Sequence, residues 1–200
     1  QFCFATTGSI ARFFSPHVSD QLRWIKSYAA HPAFISAYQR RIAIFLKEKG
    51  LKEEEVLLLF SAHGVPKKFV AEGDPYEEEC NLSYNSVMQG FPKARGRLCY
   101  QSKFGKGEWL RPYTNEACEE ILHWHEGRKH VVFVPISFTS DHVETLFEIE
   151  KLYLPIVEKQ GLKAYRCPAL NLEPYWIDAL VEIFQENDFH ENRALIRGNH

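Results

Sequence analysis

The chain has 200 residues, of which 45% are hydrophobic, and its 24 basic and 26 acidic side chains give a formal net charge of −2. This length fits one large α/β domain, or one domain with part of another, and the hydrophobic content is typical of a globular core. The balanced charge lacks the basic footprint of a nucleic-acid-binding protein, so we expect no nucleic-acid partner. No apolar run approaches the ~20 residues that a membrane-spanning helix needs.

Predicted strands alternate with predicted helices along the chain. After a strand-like segment at 1–6, helices are expected at 31–49, 76–90, 115–126, 141–160 and 174–185, and strands at 56–60, 97–102, 131–136 and 164–167. The strand Val56–Phe60 is wholly apolar, which is typical of a strand that is buried on both faces. The alternation therefore predicts an α/β fold, with a parallel sheet flanked by helices on both faces.

The cysteines are odd in number, are widely spaced and form no C-x-x-C pair; they are Cys3, Cys80, Cys99, Cys118 and Cys167. This pattern argues against a zinc site and against a disulfide framework, and it favours reduced thiols in a cytoplasmic protein. No signal peptide is visible. The start at Gln1 rather than at a methionine suggests a fragment or a processed product.

Polar side chains follow three of the predicted strands. His63 comes three residues after Phe60, Gln101 and Ser102 end the second strand, and 137–144 follow the third. In open parallel sheets, ligands bind beyond the carboxyl ends of the strands. The sequence therefore predicts a binding site at one rim of the sheet.

The segment 140–148 is unusually acidic. On a helix, Glu144 shares a face with Glu148 and with Asp141, and like charges at these spacings repel. A metal ion, a basic side chain or retained protons would compensate. The alternative is a solvated helix start, where carboxylates favour the helix dipole.

Two further features are open to ordinary explanations. His63 fits a surface-loop or capping histidine, although Gly64 and Pro66 indicate a constrained turn that favours a functional role. Trp109 and Phe138 fit a core, or they line a flat apolar pocket for a large planar ligand. His142 fits a first-turn residue or a hydrogen-bond partner, and the other histidines fit solvated positions.

Several motifs occur in an order that one enzyme family shares. They are QFCFATTGS (1–9), LLFSAHGVP (58–66), GDPY (73–76), YQSKFG (100–105), WL (109–110), PISFTSDHVETL (135–146) and ALN (169–171). With them the chain resembles the carboxyl-terminal portion of a ferrochelatase, which inserts ferrous iron into a porphyrin in haem synthesis. The resemblance implies a chelatase-like fold with two similar Rossmann-like lobes and a porphyrin cleft between them. It divides the chain into a remnant of the first lobe and crossover at 1–30, a chelatase lobe at 31–186 and a frayed tail at 187–200.

The resemblance also implies roles for the rim residues. His63 would accept pyrrole protons or contact the metal, and Glu144 would be its partner as a metal ligand or proton exit. Glu148 would continue a path for protons or metal along the helix. The porphyrin pocket would include three further residues: Ser102, Trp109 and Phe138.

Some positions depart from the family pattern. Leu152 stands where relatives carry a further acid, which puts an extended carboxylate relay in doubt. Phe4 stands where relatives with an iron–sulfur cluster have a cysteine, and Cys167 is the last cysteine, so we expect no cluster and no resident cofactor. Porphyrin and ferrous iron are the expected partners. Coproporphyrin III instead of protoporphyrin IX, another tetrapyrrole chelatase and a non-catalytic porphyrin-binding fragment remain alternatives, as does a loose peripheral association with a membrane.

Overall fold

A computed structural model of the protein describes residues 27–186, together with Phe13 and Ile25. The predicted strand at 1–6 and the predicted tail at 187–200 lie outside the described residues. Most of the segment 1–30, including Cys3 and Phe4, also lies outside them.

Four parallel strands form a single sheet. They are β1 (Val56–His63), β2 (Arg95–Gln101), β3 (His130–Val134) and β4 (Lys163–Arg166), in the spatial order β2-β1-β3-β4. Every pairing between neighbours is parallel, and the register sets His63 directly beside Gln101. The predicted fold class is confirmed.

Helices cover both faces of this sheet. They are α1 (Pro32–Glu48), α2 (Lys67–Ala71), α3 (Tyr76–Met88), α4 (Thr114–Glu119), a π-helix (Glu144–Tyr153) that continues as α5 (Leu154–Glu158), and α6 (Pro174–Glu186). Short 3₁₀ turns lie at Glu53–Glu55 and Ile121–His123. Within the described residues, no helix is long and apolar enough to cross a membrane.

The central strand β1 divides the core into two layers. Leu58 and Phe60 pack with side chains from α1, α3 and α6, whereas Leu57 and Leu59 pack with α4, the π-helix and α5. Because successive side chains of a strand point to opposite faces, an apolar run is what a strand covered on both sides requires. Because these leucines are buried in the two core layers, the position of β1 relative to the helices is fixed, and so is the position of its last residue, His63.

Two predicted helices need correction, and one helix was not predicted. The short helix α2 is absent from the sequence prediction, and the segment predicted as one helix at 115–126 is α4 followed by a 3₁₀ turn. The acidic helix is a π-helix over Glu144–Tyr153, with Leu154 N–H bonded to Ile149 O. Spacings of three and four predict helicity but do not reveal an extra residue in each turn.

Candidate active site

The backbone of His63 is held from two sides at the end of β1. Its N–H donates a hydrogen bond to Ser137 Oγ at 2.7 Å, and Tyr76 Oη donates one to its carbonyl oxygen at 2.7 Å. The imidazole Nδ1 lies 2.6 Å from Gly64 O. Because a carbonyl oxygen only accepts, Nδ1 must donate in this contact, which leaves the lone pair of a neutral ring on Nε2.

The turn after His63 requires glycine. Gly64 N–H donates to Gln101 O at 2.7 Å. A Cβ atom at Gly64 would lie 2.8 Å from that same oxygen and 3.2 Å from Cε3 of Trp109. Close approach of the backbone, rather than flexibility, therefore explains the glycine at position 64. The absence of a Cβ atom also lets the half-buried Trp109 pack against the turn.

His63 meets Glu144 across the rim. Nε2 of His63 lies 3.7 Å from Oε2 of Glu144, and the two side chains are 38% and 34% exposed. The pair is therefore open to a ligand. The structure brings together two residues that are 81 positions apart in the sequence, one at the end of β1 and one at the start of the π-helix.

Glu148 lies one turn further along the π-helix. Its Oε2 accepts hydrogen bonds from Ser102 N–H at 3.0 Å, from Tyr153 Oη at 3.0 Å and from Gln101 Nε2 at 3.4 Å. Ser102 has a positive φ of 60°, which turns its N–H toward this carboxylate. Such backbone strain in a non-glycine residue is more frequent at functional sites than elsewhere.

Gln101 was placed at the rim by the sequence, but its structural role was not predicted. It is 2% exposed, accepts a hydrogen bond from Ser61 Oγ at 2.7 Å and donates one to Glu144 O at 2.9 Å. It thus ties the end of β2 to the first residue of the π-helix. The available signal was a polar residue at the end of a buried strand, next to His63 in the register.

Asp141 has a different environment from the two glutamates. Its carboxylate accepts hydrogen bonds from Thr145 Oγ1, Arg166 Nη1, Asn171 Nδ2 and Ala169 N–H, at 2.9 to 3.2 Å. Burial opposes its ionisation, but the bonds from Asn171 and Thr145 and the charge of Arg166 outweigh burial, so the pKa of Asp141 is lowered. The basic compensation expected for this acidic segment therefore reaches Asp141 through Arg166.

Aromatic side chains border the pair. Phe138 is 7% exposed, with its ring centroid 6.0 Å from that of His63 and 5.0 Å from that of the exposed His142. Tyr38 Oη lies within hydrogen-bond distance of the Phe138 carbonyl oxygen, at 3.1 Å, which fixes the loop that carries the ring. Another histidine departs from expectation, since His130 is half-buried against Tyr165 rather than solvated.

The described residues offer few metal ligands at this rim. Within residues 27–186, no group of three or more His, Cys, Asp or Glu side chains could hold a metal ion. His63 and Glu144 together offer two potential ligands, one nitrogen and one oxygen. The described cysteines do not contribute, since Cys80, Cys99, Cys118 and Cys167 are buried and free.

Comparison with known proteins identifies the family. The family model described as Ferrochelatase matches residues 1–188. The chain belongs to the ferrochelatase family. A ferrochelatase from Chlamydia pneumoniae is 40% identical over 197 residues, and one from Chlamydia abortus is 41% identical over the same length. A third, from Chlamydia trachomatis serovar A, is 38% identical over 187 residues.

These matches cover most of this chain but only part of each relative. They include 98% of the chain for the first two ferrochelatases and 93% for the third, against 59%, 61% and 58% of the relatives. The chain therefore spans about three fifths of the length of the curated relatives it matches. The ferrochelatase resemblance predicted from the motifs is confirmed.

Proposed function

We propose that the protein inserts ferrous iron into protoporphyrin IX, a step in haem synthesis. The observation that carries the proposal is the 3.7 Å contact between His63 Nε2 and Glu144 Oε2 at the carboxyl rim of a parallel sheet, in a chain of the ferrochelatase family. Metal insertion requires that water leaves the metal, that the pyrrole nitrogens become accessible and that two pyrrole protons are removed. An imidazole beside a carboxylate suits these requirements.

His63 is the proposed proton acceptor. Imidazole is the side chain that exchanges protons most readily near neutral pH. The contact of Nδ1 with Gly64 O supports a neutral tautomer in which Nε2, on the side of Glu144, is free to take a pyrrole proton. A transient metal contact through the same nitrogen is the alternative use of this lone pair.

Glu144 is the proposed partner of His63. Its carboxylate either stabilises the imidazolium and passes the proton on, or coordinates the entering metal. Two loosely spaced nitrogen and oxygen ligands discriminate weakly between divalent metals, and Zn²⁺ and Co²⁺ exceed Fe²⁺ in intrinsic affinity for such ligands. We therefore expect zinc insertion in vitro as well as iron insertion.

Other rim residues complete the proposal. Glu148 carries metal toward Glu144, or protons away from it, along the π-helix, and the path ends with Glu148 because Leu152 is apolar. Trp109 and Phe138 contact the macrocycle. Ser102 belongs to the same porphyrin pocket. Its hydrogen bond to Glu148 supports a position between that pocket and the proposed path.

The setting of the reaction is also a proposal. Burial raises the pKa of the Cys167 thiol to about 12, which supports a structural thiol rather than a cluster ligand. We propose that the protein holds no resident cofactor, that Fe²⁺ is a substrate and that the compartment is the cytoplasm. Colourless purified protein is expected, and a visible absorption band with stoichiometric iron and sulfide would contradict the absence of a cluster.

The deciding experiment is anaerobic insertion of Fe²⁺, with Zn²⁺ in parallel, followed by the visible absorption of protoporphyrin IX. Three proteins are compared: the 200-residue chain, the full-length Chlamydia pneumoniae relative, and a chimaera that joins the upstream part of that relative to this chain. Turnover by the chimaera shows that this chain supplies a working half of the site. Turnover by the chain alone shows that the described rim suffices.

Each alternative has its own outcome in this assay. Faster turnover with coproporphyrin III would replace the proposed substrate, and a preference for cobalt or nickel with a more hydrophilic tetrapyrrole would indicate another chelatase. Porphyrin binding without turnover by the folded chain and the folded chimaera would favour the non-catalytic binding fragment.

A further inference from the structure

Three hydrogen-bond donors converge on one oxygen of Glu148. They come from the end of β2, from the strained residue that follows it and from the last residue of the π-helix: Gln101 Nε2, Ser102 N–H and Tyr153 Oη. All three reach Oε2. Within residues 27–186, no hydrogen bond is donated to Oε1 of Glu148, so this oxygen keeps its capacity to bind a cation.

The π-helix is what brings Tyr153 to Glu148. The two residues are five positions apart, and their side chains meet at 3.0 Å. An α-helix sets side chains three and four apart beside each other, whereas a π-helix pairs residues five apart. The contact is therefore a consequence of the helix type and is not available in the predicted α-helix.

Tyr153 is built into the core. It is 9% exposed, and its ring is stacked on Phe133 with centroids 6.5 Å apart and an interplanar angle of 9°. Its hydroxyl is the donor to Glu148 Oε2, at 3.0 Å. A phenylalanine would keep the ring and the stacking, and it would lose the hydroxyl that bonds to Glu148 and meets the Ser102 backbone.

We propose that Tyr153 is a positioning residue that fixes the Glu148 carboxylate, so that Oε1 is presented to the incoming divalent metal. This inference rests on the proposed function, because it gives the proposed metal path its fixed ligand. Held by one oxygen, the carboxylate binds a cation without first losing side-chain freedom. Because Leu152 carries no carboxylate, Glu148 is the last acidic residue of the proposed path. The hydroxyl of Tyr153 holds that last carboxylate in place.

The test compares four variants: Tyr153→Phe, Glu148→Gln, their combination, and Tyr165→Phe. The last is a matched control, since it also removes one tyrosine hydroxyl, bonded at 3.1 Å to His130 Nδ1 rather than to a rim residue. Zn²⁺ binding is measured by titration calorimetry without porphyrin, and KM values for Zn²⁺ and for protoporphyrin IX are measured in the active form of the protein.

Tyr153→Phe is expected to weaken Zn²⁺ binding and to raise the Zn²⁺ KM by roughly threefold to tenfold, the size expected for the net contribution of one typical hydrogen bond. The porphyrin KM should change by less than about twofold, and the double variant should match Glu148→Gln alone, as coupled residues do. Tyr165→Phe should leave the Zn²⁺ affinity unchanged.

The outcomes separate this inference from the proposed function. If Glu148→Gln weakens Zn²⁺ binding and Tyr153→Phe does not, the role of Tyr153 is wrong and the path survives. If Glu148→Gln has no effect on Zn²⁺ binding, both the path and the inference are wrong. Equal increases in both KM values would assign Tyr153 to general packing, which also overturns the inference. Porphyrin insertion by a protein with normal Zn²⁺ binding in every variant would leave the proposed function intact.

Discussion

Asp141 and Glu144 belong to one acidic segment and lie three residues apart, yet the structure uses them differently. Asp141 accepts hydrogen bonds from four donors, and its side chain is 15% exposed. The Glu144 side chain is 34% exposed, and its one ion pair within residues 27–186 is the 3.7 Å contact with His63. The first carboxylate is satisfied by the protein, and the second is available to a ligand.

This difference divides the rim into an anchor around Asp141 and an exposed pair, His63 and Glu144, which is the proposed reactive pair. The anchor joins the start of the π-helix to β4 through Arg166 and to the following loop through Asn171. The reactive pair stands on that anchor, because Glu144 follows Asp141 by less than one turn. A carboxylate whose lone pairs are all hydrogen-bonded stabilises the fold, whereas a carboxylate with free lone pairs can bind a metal or a proton.

The largest effect is expected for Glu144→Gln. Glutamine keeps the shape but cannot hold a proton or a charge for the metal, so turnover should fall at least ~100-fold, as for loss of a general acid–base group. The free energy of unfolding should change by less than about 0.5 kcal/mol, since the side chain is partly exposed. His63→Ala should behave in the same way. Insertion assays and urea unfolding measure the two quantities.

A matched control for this variant is Glu158→Gln. Glu158 is exposed at the end of α5, on the same helical arm but away from the rim. Normal turnover is expected there. Near-normal turnover of Glu144→Gln, with the control also normal, would remove Glu144 from the reactive pair.

Asp141→Asn should have the opposite effect, a large loss of stability with a small change in turnover. The amide would face the donors that the carboxylate satisfies, and it would leave Arg166 with its ion pair to Glu150 at 2.8 Å but without the one to Asp141 at 2.9 Å. Loss of a charged acceptor that four donors share should cost about 3 kcal/mol of unfolding free energy. Urea unfolding measures that loss. A stability close to that of the unsubstituted chain, together with abolished turnover, would show that Asp141 belongs with Glu144.

The acid dependence of stability sharpens the same contrast. Because the pKa of Asp141 is lowered in the folded state, its contribution to stability is complete above its ordinary pKa of about 4 and is lost as the pH falls through the folded-state value. Below about pH 4, the stability of the unsubstituted chain should therefore fall more steeply than that of Asp141→Asn. Urea unfolding at a series of pH values measures both curves. Parallel curves would mean that Asp141 gains nothing from its donors.

The sequence predicts the sheet and its rim because both follow from local patterns. Apolar runs of strand length mark β1 and β3, and polar residues directly after them must lie at the carboxyl edge. The separate roles of Asp141 and Glu144 do not follow from such patterns, because Arg166 and Asn171 lie 25 and 30 residues further on. The π-helix is equally hidden, and with it the contact between Tyr153 and Glu148.

The smallest effect is expected for Thr145→Val, which removes one donor from the anchor. Thr145 is fully buried, and its Oγ1 donates to Asp141 Oδ1 at 2.9 Å. Oγ1 also accepts a hydrogen bond from His142 N–H at 3.0 Å. Loss of both bonds should lower the unfolding free energy by about 1 to 2 kcal/mol, less than Asp141→Asn, because three donors to Asp141 remain. Turnover well below the melting temperature should change by less than about threefold. The insertion assay and urea unfolding check both values.

A double-mutant cycle tests whether Thr145 acts through Asp141. Added to Asp141→Asn, Thr145→Val should cost less than it does alone, because its bond to Asp141 is already disrupted and only its bond with His142 is left to lose. Thr114→Val is the matched control: this buried threonine bonds to Ser61 at 3.0 Å and has no contact with Asp141, so its cost should add fully. If Thr145→Val were also fully additive, the two residues would stabilise the fold independently. The anchor would then consist of Asp141, Arg166 and Asn171, and the start of the π-helix would be held by those contacts alone.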